Sequence, residues 1–183
     1  WAGPDPGAPA QIAPAPITPA MIAPEVARYS DQLRARAGGQ VAGFLALLTA
    51  DLHSRTDRHI RPSGYAQSAA ETLITARGAC RDIAVLFIAA VQAQGMQARF
   101  VSGYQAQAES VDGQRHLHAW PEVWIPGAGW RGFDPTHGLP VGDGHVALCA
   151  AADQRATMPV EGGFWGGTVL SRLSYTVEIT TGA

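Results

Sequence analysis

The 183-residue chain contains no lysine and no asparagine, so all thirteen of its basic side chains are arginine. Without lysine, neither a Schiff-base nucleophile nor a lysine grip on a nucleotide phosphate is available. The chain also has no lysine of its own to accept an acyl group. Cysteine is almost absent. Cys80 and Cys149 make no disulfide framework, and a reduced pair is expected. The longest apolar run, 83 to 91, has nine residues, against about twenty for a membrane span. Positive charge is not in excess: 13 basic residues face 15 acidic ones, net -2. That excludes a strongly basic nucleic-acid binder and leaves neither nucleic acid nor membrane as an expected partner. What is there is an apolar content of 46%, enough to fill one domain core.

Proline and alanine crowd residues 1–23, which read as an extended arm or linker. The chain starts at Trp1 rather than Met, so a further N-terminal domain is expected ahead of the arm, and the location expected is cytoplasmic. Residues 24–183 read as one domain. Pro24 and Glu25 suit the first turn of a helix stopped by Gly38-Gly39. Apolar residues at 41, 44, 45, 48 and 52 predict a second helix, 41–55. Ser68 with Glu71 forms a capping-box pattern for a short third helix. The run after Cys80, ended by Gly95, predicts a helix apolar on all sides and hence central. Strands are predicted at 97–105, 115–125, 129–134, 145–150 and 168–180. Helices first and strands second imply an α+β domain with an antiparallel sheet on a central helix.

Cys80 falls at the N-terminus of that central helix, where the backbone N–H groups and helix dipole favour a thiolate. Cys149, inside an apolar strand, reads as an inert small hydrophobe. A nucleophilic cysteine needs an imidazole, and the imidazole needs an acceptor to orient it. His118 and Asp134 lie on adjacent predicted strands joined by the 126–129 turn, so they can meet across the ladder. His116 and Trp120 share the His118 face and are candidates for the cleft wall. Trp165, flanked by glycine pairs, is a candidate lid.

The local text is sharper. Gly78-Ala-Cys80-Arg-Asp82, then Arg99-Phe-Val-Ser-Gly103-Tyr104, His118-Ala-Trp120-Pro-Glu122 and Gly129-Trp-Arg-Gly-Phe133-Asp134-Pro-Thr136 follow in order. This series resembles the transglutaminase-like superfamily, in particular its bacterial cysteine-peptidase-like branch. The resemblance implies a papain-like, transglutaminase-core fold. It implies Cys80 as nucleophile, His118 as general base and acid, and Asp134 as orienter. The activity implied is hydrolysis of an amide or peptide bond through a thioester, with transamidation open to the same triad. The partner implied is a peptide or protein amide, and no cofactor or metal is expected. The chain departs from the family pattern at Arg81, often Gln; at Val85, where many relatives carry His; at Pro121, usually Val; and at His137, usually Asn. Proline at 121 removes a ladder donor, so that strand must be an edge, be bulged, or turn the missing N–H away from a neighbour. A metal site is the weaker rival: His116 and His118 share a strand face, with Cys80, His137, His145 or Cys149 as candidates to complete a tetrahedral set. A non-catalytic relative is a third reading.

Overall fold

The computed structural model describes residues 22–61, 63–106, 115–158, 165–167, 170 and 176–180. The four predicted helices form as α1 (Pro24–Arg36), α2 (Val41–Arg55), α3 (Ala69–Thr75) and α4 (Cys80–Ala93). In α1 the buried residues Val26, Tyr29, Ser30 and Leu33 recur with helical spacing. The helix ends where Gly38 and Gly39 take positive φ, and the Gly39 N–H closes on the Arg34 carbonyl at 3.0 Å. Ser68 caps α3 by accepting the Glu71 N–H at 3.1 Å. The helix α4 is buried nearly all round, through Ile83, Ala84, Leu86, Phe87, Ile88, Ala90 and Val91. It therefore forms the axis of the core, with α1, α2 and α3 against it and the sheet alongside.

Two short strands, β1 (Asp57–Arg58) and β2 (Arg77–Gly78), pair in parallel just ahead of α4. The main sheet is built from β3 (Ala98–Gln105), β4 (His118–Ile125), β5 (Gly129–Asp134), β6 (Leu139–Pro140) and β7 (His145–Ala151). Its order is β6-β5-β4-β3-β7, antiparallel throughout. Ala98, Phe100, Ala119, Val123 and Phe133 join the helices in one core cluster. Strand alternation then places His118, Trp120, Gly132 and Asp134 on the other face.

Several expectations are adjusted. The strand expected over 115–125 begins at His118, because 115–117 make no ladder. Cys149 sits on β7 but is exposed, because β7 is an edge strand paired with β3 alone among the described residues. Of the strand expected over 168–180, residues 170 and 176–180 are not in a strand and the rest lie outside the described residues. The arm lies outside them as well, save Ile22 and Ala23, which pack against the core.

The junction of β4 and β5 positions the site. The Trp124 N–H bonds Gln97 on the β3 side, so N–H groups at 119, 121 and 123 face β5. The β4–β5 register ends at Glu122 and Gly132. Pro121 is the next residue of β4 whose N–H side faces β5, and with no N–H to offer it ends the paired register there. Two residues further on, the Ala119 N–H faces the same side, beyond the paired residues of β5.

Candidate active site

Cys80 is the first residue of α4, and Asp82 fixes that end. Its carboxylate accepts the Ala79 N–H at 2.7 Å, the Gln67 N–H at 2.8 Å and Arg61 Nη2 at 2.6 Å. Arg81 pulls the same loop inward by donating to the Arg61 carbonyl at 2.8 Å. The Asp82 N–H bonds the Ala79 carbonyl at 2.9 Å, so the N–H groups of Cys80 and Arg81 are the ones a helix start offers to a ligand oxygen or a thiolate.

The Cys80 sulfur sits in the fork between β4 and β5. The His118 imidazole and the Ala119 N–H are the neighbours that favour its charged form. His118 gives Nε2 to Asp134 Oδ2 at 2.8 Å, which leaves Nδ1 to face the sulfur. The three side chains expected to meet do so, in the order Cys80, His118, Asp134.

The electrostatics follow from burial and partners. Burial pushes the Cys80 thiol up, but the hydrogen bond and charge of His118, the Ala119 N–H and the nearby Arg81 charge outweigh it, and the thiol falls below its ordinary value. Burial would lower His118; the Asp134 carboxylate and the Cys80 thiolate reverse this and raise it to about 10. Burial likewise works against the Asp134 charge, yet donation from His118, His137 and His145 holds its carboxyl far below the usual carboxylate range. A thiolate–imidazolium pair is the form these neighbours favour.

Asp134 has more partners than an orienting role needs. His137 Nδ1 at 2.8 Å and His145 Nε2 at 3.0 Å reach the same Oδ2 as His118. The N–H groups of Thr136 and His137 bond Oδ1 at 3.0 and 3.1 Å. Below this turn, His53 Nδ1 bonds the Thr136 carbonyl at 3.0 Å, and Arg58 donates to the same oxygen. His53 also packs where a Cβ on Gly138 would stand, at 2.7 Å, so the turn closes only with glycine.

The cleft candidates fare differently. Trp120 is fully buried, with its ring 5.9 Å from His118 and 5.2 Å from His145. It backs the imidazoles rather than walling an open cleft. Its ring also passes where a Cβ on Gly103 would lie, 2.5 Å away, which accounts for the glycine. His116 is partly buried in the segment leading into β4. Trp165 is fully exposed and is not brought to the site. Sequence reasoning had assigned no role to Asp82, and had weighed His137 and His145 only as metal ligands. The signal for Asp82 was its place two residues after Cys80, where a helix-capping carboxylate belongs.

A thiol at a helix N-terminus, an imidazole on an adjacent strand and a buried carboxylate behind it, on an α+β core, define a papain-like domain. The transglutaminase-like superfamily pattern matches residues 39–135, which hold all three side chains. The chain belongs to the transglutaminase-like superfamily. It is 29% identical over 122 residues to an uncharacterized protein of Mycobacterium leprae, covering 64% of this chain and 43% of that one. It is 29% identical over 116 residues to a protein-glutamine gamma-glutamyltransferase of Pseudomonas aeruginosa, covering 59% of this chain and 17% of that one. A solved structure from Cytophaga hutchinsonii, provisionally assigned as a cysteine protease, superimposes with a TM-score of 0.56 at 25% identity. That match covers 70% of this chain and 43% of the other. The chain thus spans less than half the length of each of these relatives. Among the described residues, no helix is long and apolar enough to cross a membrane.

Proposed function

We propose that this domain hydrolyses amide or peptide bonds through a thioester on Cys80. The observation that carries the reading is the double hold on the sulfur. The His118 imidazole, itself held by Asp134 at 2.8 Å, and the Ala119 N–H both favour the thiolate at the start of α4.

In the first half-reaction the Cys80 thiolate attacks the carbonyl carbon, and the carbonyl oxygen takes the negative charge. The Cys80 backbone N–H, at the start of α4, is one donor for that oxyanion. As the tetrahedral intermediate collapses, the C–N bond breaks and the leaving amine takes the proton from His118 Nδ1. The thioester remains. In the second half-reaction His118 accepts a proton from water, the hydroxide adds to the thioester, and the acid departs from the sulfur. The proton taken from water stays on His118, which restores the thiolate–imidazolium pair. Asp134 holds Nε2 throughout, so the imidazole keeps one orientation and its positive charge is balanced.

Transamidation shares every step up to the thioester, and the similarity to the Pseudomonas transferase favours it as the second reading. In that case the acceptor amine is not a lysine of these 183 residues, which contain none. The test is mass spectrometry of products from glutamine-containing peptides and peptide amides, in isotopically labelled water, with and without an added primary amine. Label from water in the product acid supports hydrolysis. Incorporation of the amine moves the reading to transamidation. Failure of the wild-type protein to form an acyl-enzyme with amide or thioester probes overturns both.

A further inference from the structure

We propose that His118, Asp134 and His137 form a binding site for one zinc-class dication, and that metal bound there switches the triad off. The inhibition rests on the reading above; the binding stands without it.

The geometry carries the site. Three imidazole nitrogens, from β4, from the turn after β5 and from β7, converge on a single carboxylate oxygen at 2.8, 2.8 and 3.0 Å. The ligand atoms of His118, Asp134 and His137 all lie within 4.8 Å of one another. Ligands on a tetrahedral zinc ion stand about 3.3 Å apart. The nitrogen-to-oxygen distances therefore open by only a few tenths of an ångström to admit the ion, and the two nitrogens close by at most about 1.5 Å. Two imidazoles and a carboxylate are a zinc-type donor set that leaves a fourth position for water. An entry path exists, because the His137 side chain is 26% exposed whereas those of His118 and Asp134 are nearly or fully buried.

Proton accounting sets the consequence. In the metal-free pair, His118 carries protons on both nitrogens, with Nδ1–H toward the thiolate and Nε2–H toward Asp134. A dication on Nε2 displaces that proton to solvent, and His118 becomes a neutral imidazole still donating Nδ1–H to sulfur. His137 now gives Nδ1 to the metal and moves its proton to Nε2, on the exposed side of the ring. His145 keeps its bond to Asp134 and steadies the carboxylate as an outer-shell partner. Thiolate, carboxylate and imidazolium sum to one negative charge. With the metal in and one proton out, the sum is zero, so the buried ion is compensated. What is lost is the imidazolium that protonates the leaving amine.

The experiment is calorimetric titration of the wild-type protein with zinc, in buffers of different ionisation enthalpy, with cobalt(II) absorption as a second signal. The expected result is one equivalent bound, with a dissociation constant of about 10 µM or tighter and release of about one proton. Binding should weaken at least about tenfold in His137→Asn and persist in Cys80→Ala and Cys149→Ser. Circular dichroism establishes that each variant is folded. No binding, or binding that survives His137→Asn, overturns the site. Binding lost in a cysteine variant overturns it in favour of a thiolate site. Where binding holds, metal that leaves turnover unchanged overturns the switch alone. A protein that binds metal as stated yet shows no turnover without it fails the functional reading and keeps the site.

Discussion

Among the described residues two carboxylates are completely shielded from solvent, Asp82 at the start of α4 and Asp134 behind His118. Asp82 is paired with Arg61, a cation at any working pH, and with two backbone N–H groups. Asp134 is surrounded by three imidazoles, whose protons move. The first arrangement is fixed and belongs to the fold. The second changes its charge with the state of its partners and belongs to the chemistry. A buried negative charge needs compensation in both places, and the kind of compensation separates scaffold from machinery.

The contrast breaks most visibly at Asp134. Asp134→Asn is expected to lower kcat by about ten-thousand-fold, near 5.5 kcal/mol in the barrier, because the amide no longer holds the charged tautomer of His118. Steady-state kinetics on a thioester or amide substrate measure this. A loss below about tenfold removes Asp134 from the orienting role.

Asp82→Ala should act through stability instead. Arg61 would be left without its carboxylate and two N–H groups without an acceptor, a loss of about 3–5 kcal/mol in urea unfolding. A variant that unfolds like the wild type yet turns over far more slowly would erase the distinction between the two carboxylates.

Acid and alkali sharpen it further. The raised His118, at about 10, keeps its imidazolium well above neutrality, so turnover should fall only as pH rises through about 10. An alkaline limb near the ordinary histidine value would show that the pair does not form. The depressed Asp134 works with the opposite sign. Its contribution to stability is fully present above the ordinary carboxylate value of about 3.9 and is lost as pH falls below it. Unfolding free energies measured down a pH series should therefore decline more steeply for wild type than for Asp134→Asn.

Ser68→Ala, at the cap of α3 and away from both carboxylates, should cost about 1 kcal/mol of stability and leave kcat where it was. A change in rate there would mean that α3 is coupled to the site.

Much of this was legible in the chain before its fold. The glycine pair at 38–39, Gly95 and the apolar spacing of α2 mark helices that form within a residue or so of expectation, because local sterics and one buried face decide them. The candidates Cys80, His118 and Asp134 stood out because each sits in a distinctive local setting: a glycine turn before a helix, a tryptophan-rich strand and an Asp-Pro turn. What escaped was of two kinds. Strands β1 and β2 have two residues each, too short for any period to show. The approach of His145 to Asp134 depends on β7 pairing with β3 across the sheet, a contact between parts of the chain that no local pattern predicts. Cys149 was misread for a related reason. Its strand is apolar, but its place at the sheet edge, which topology alone sets, leaves the thiol in solvent.

The fork between β4 and β5 has one more consequence. Because Pro121 has no N–H to offer and the paired register ends at Glu122, Ala119 is the strand amide that acts on the sulfur. Its proton is a built-in gauge. In an amide NMR spectrum its resonance should sit downfield while the acceptor is a thiolate. It should move upfield when the sulfur is acylated, and return when the thioester is cleared. A single backbone signal would thus report each stage of a turnover, without a label placed in the site.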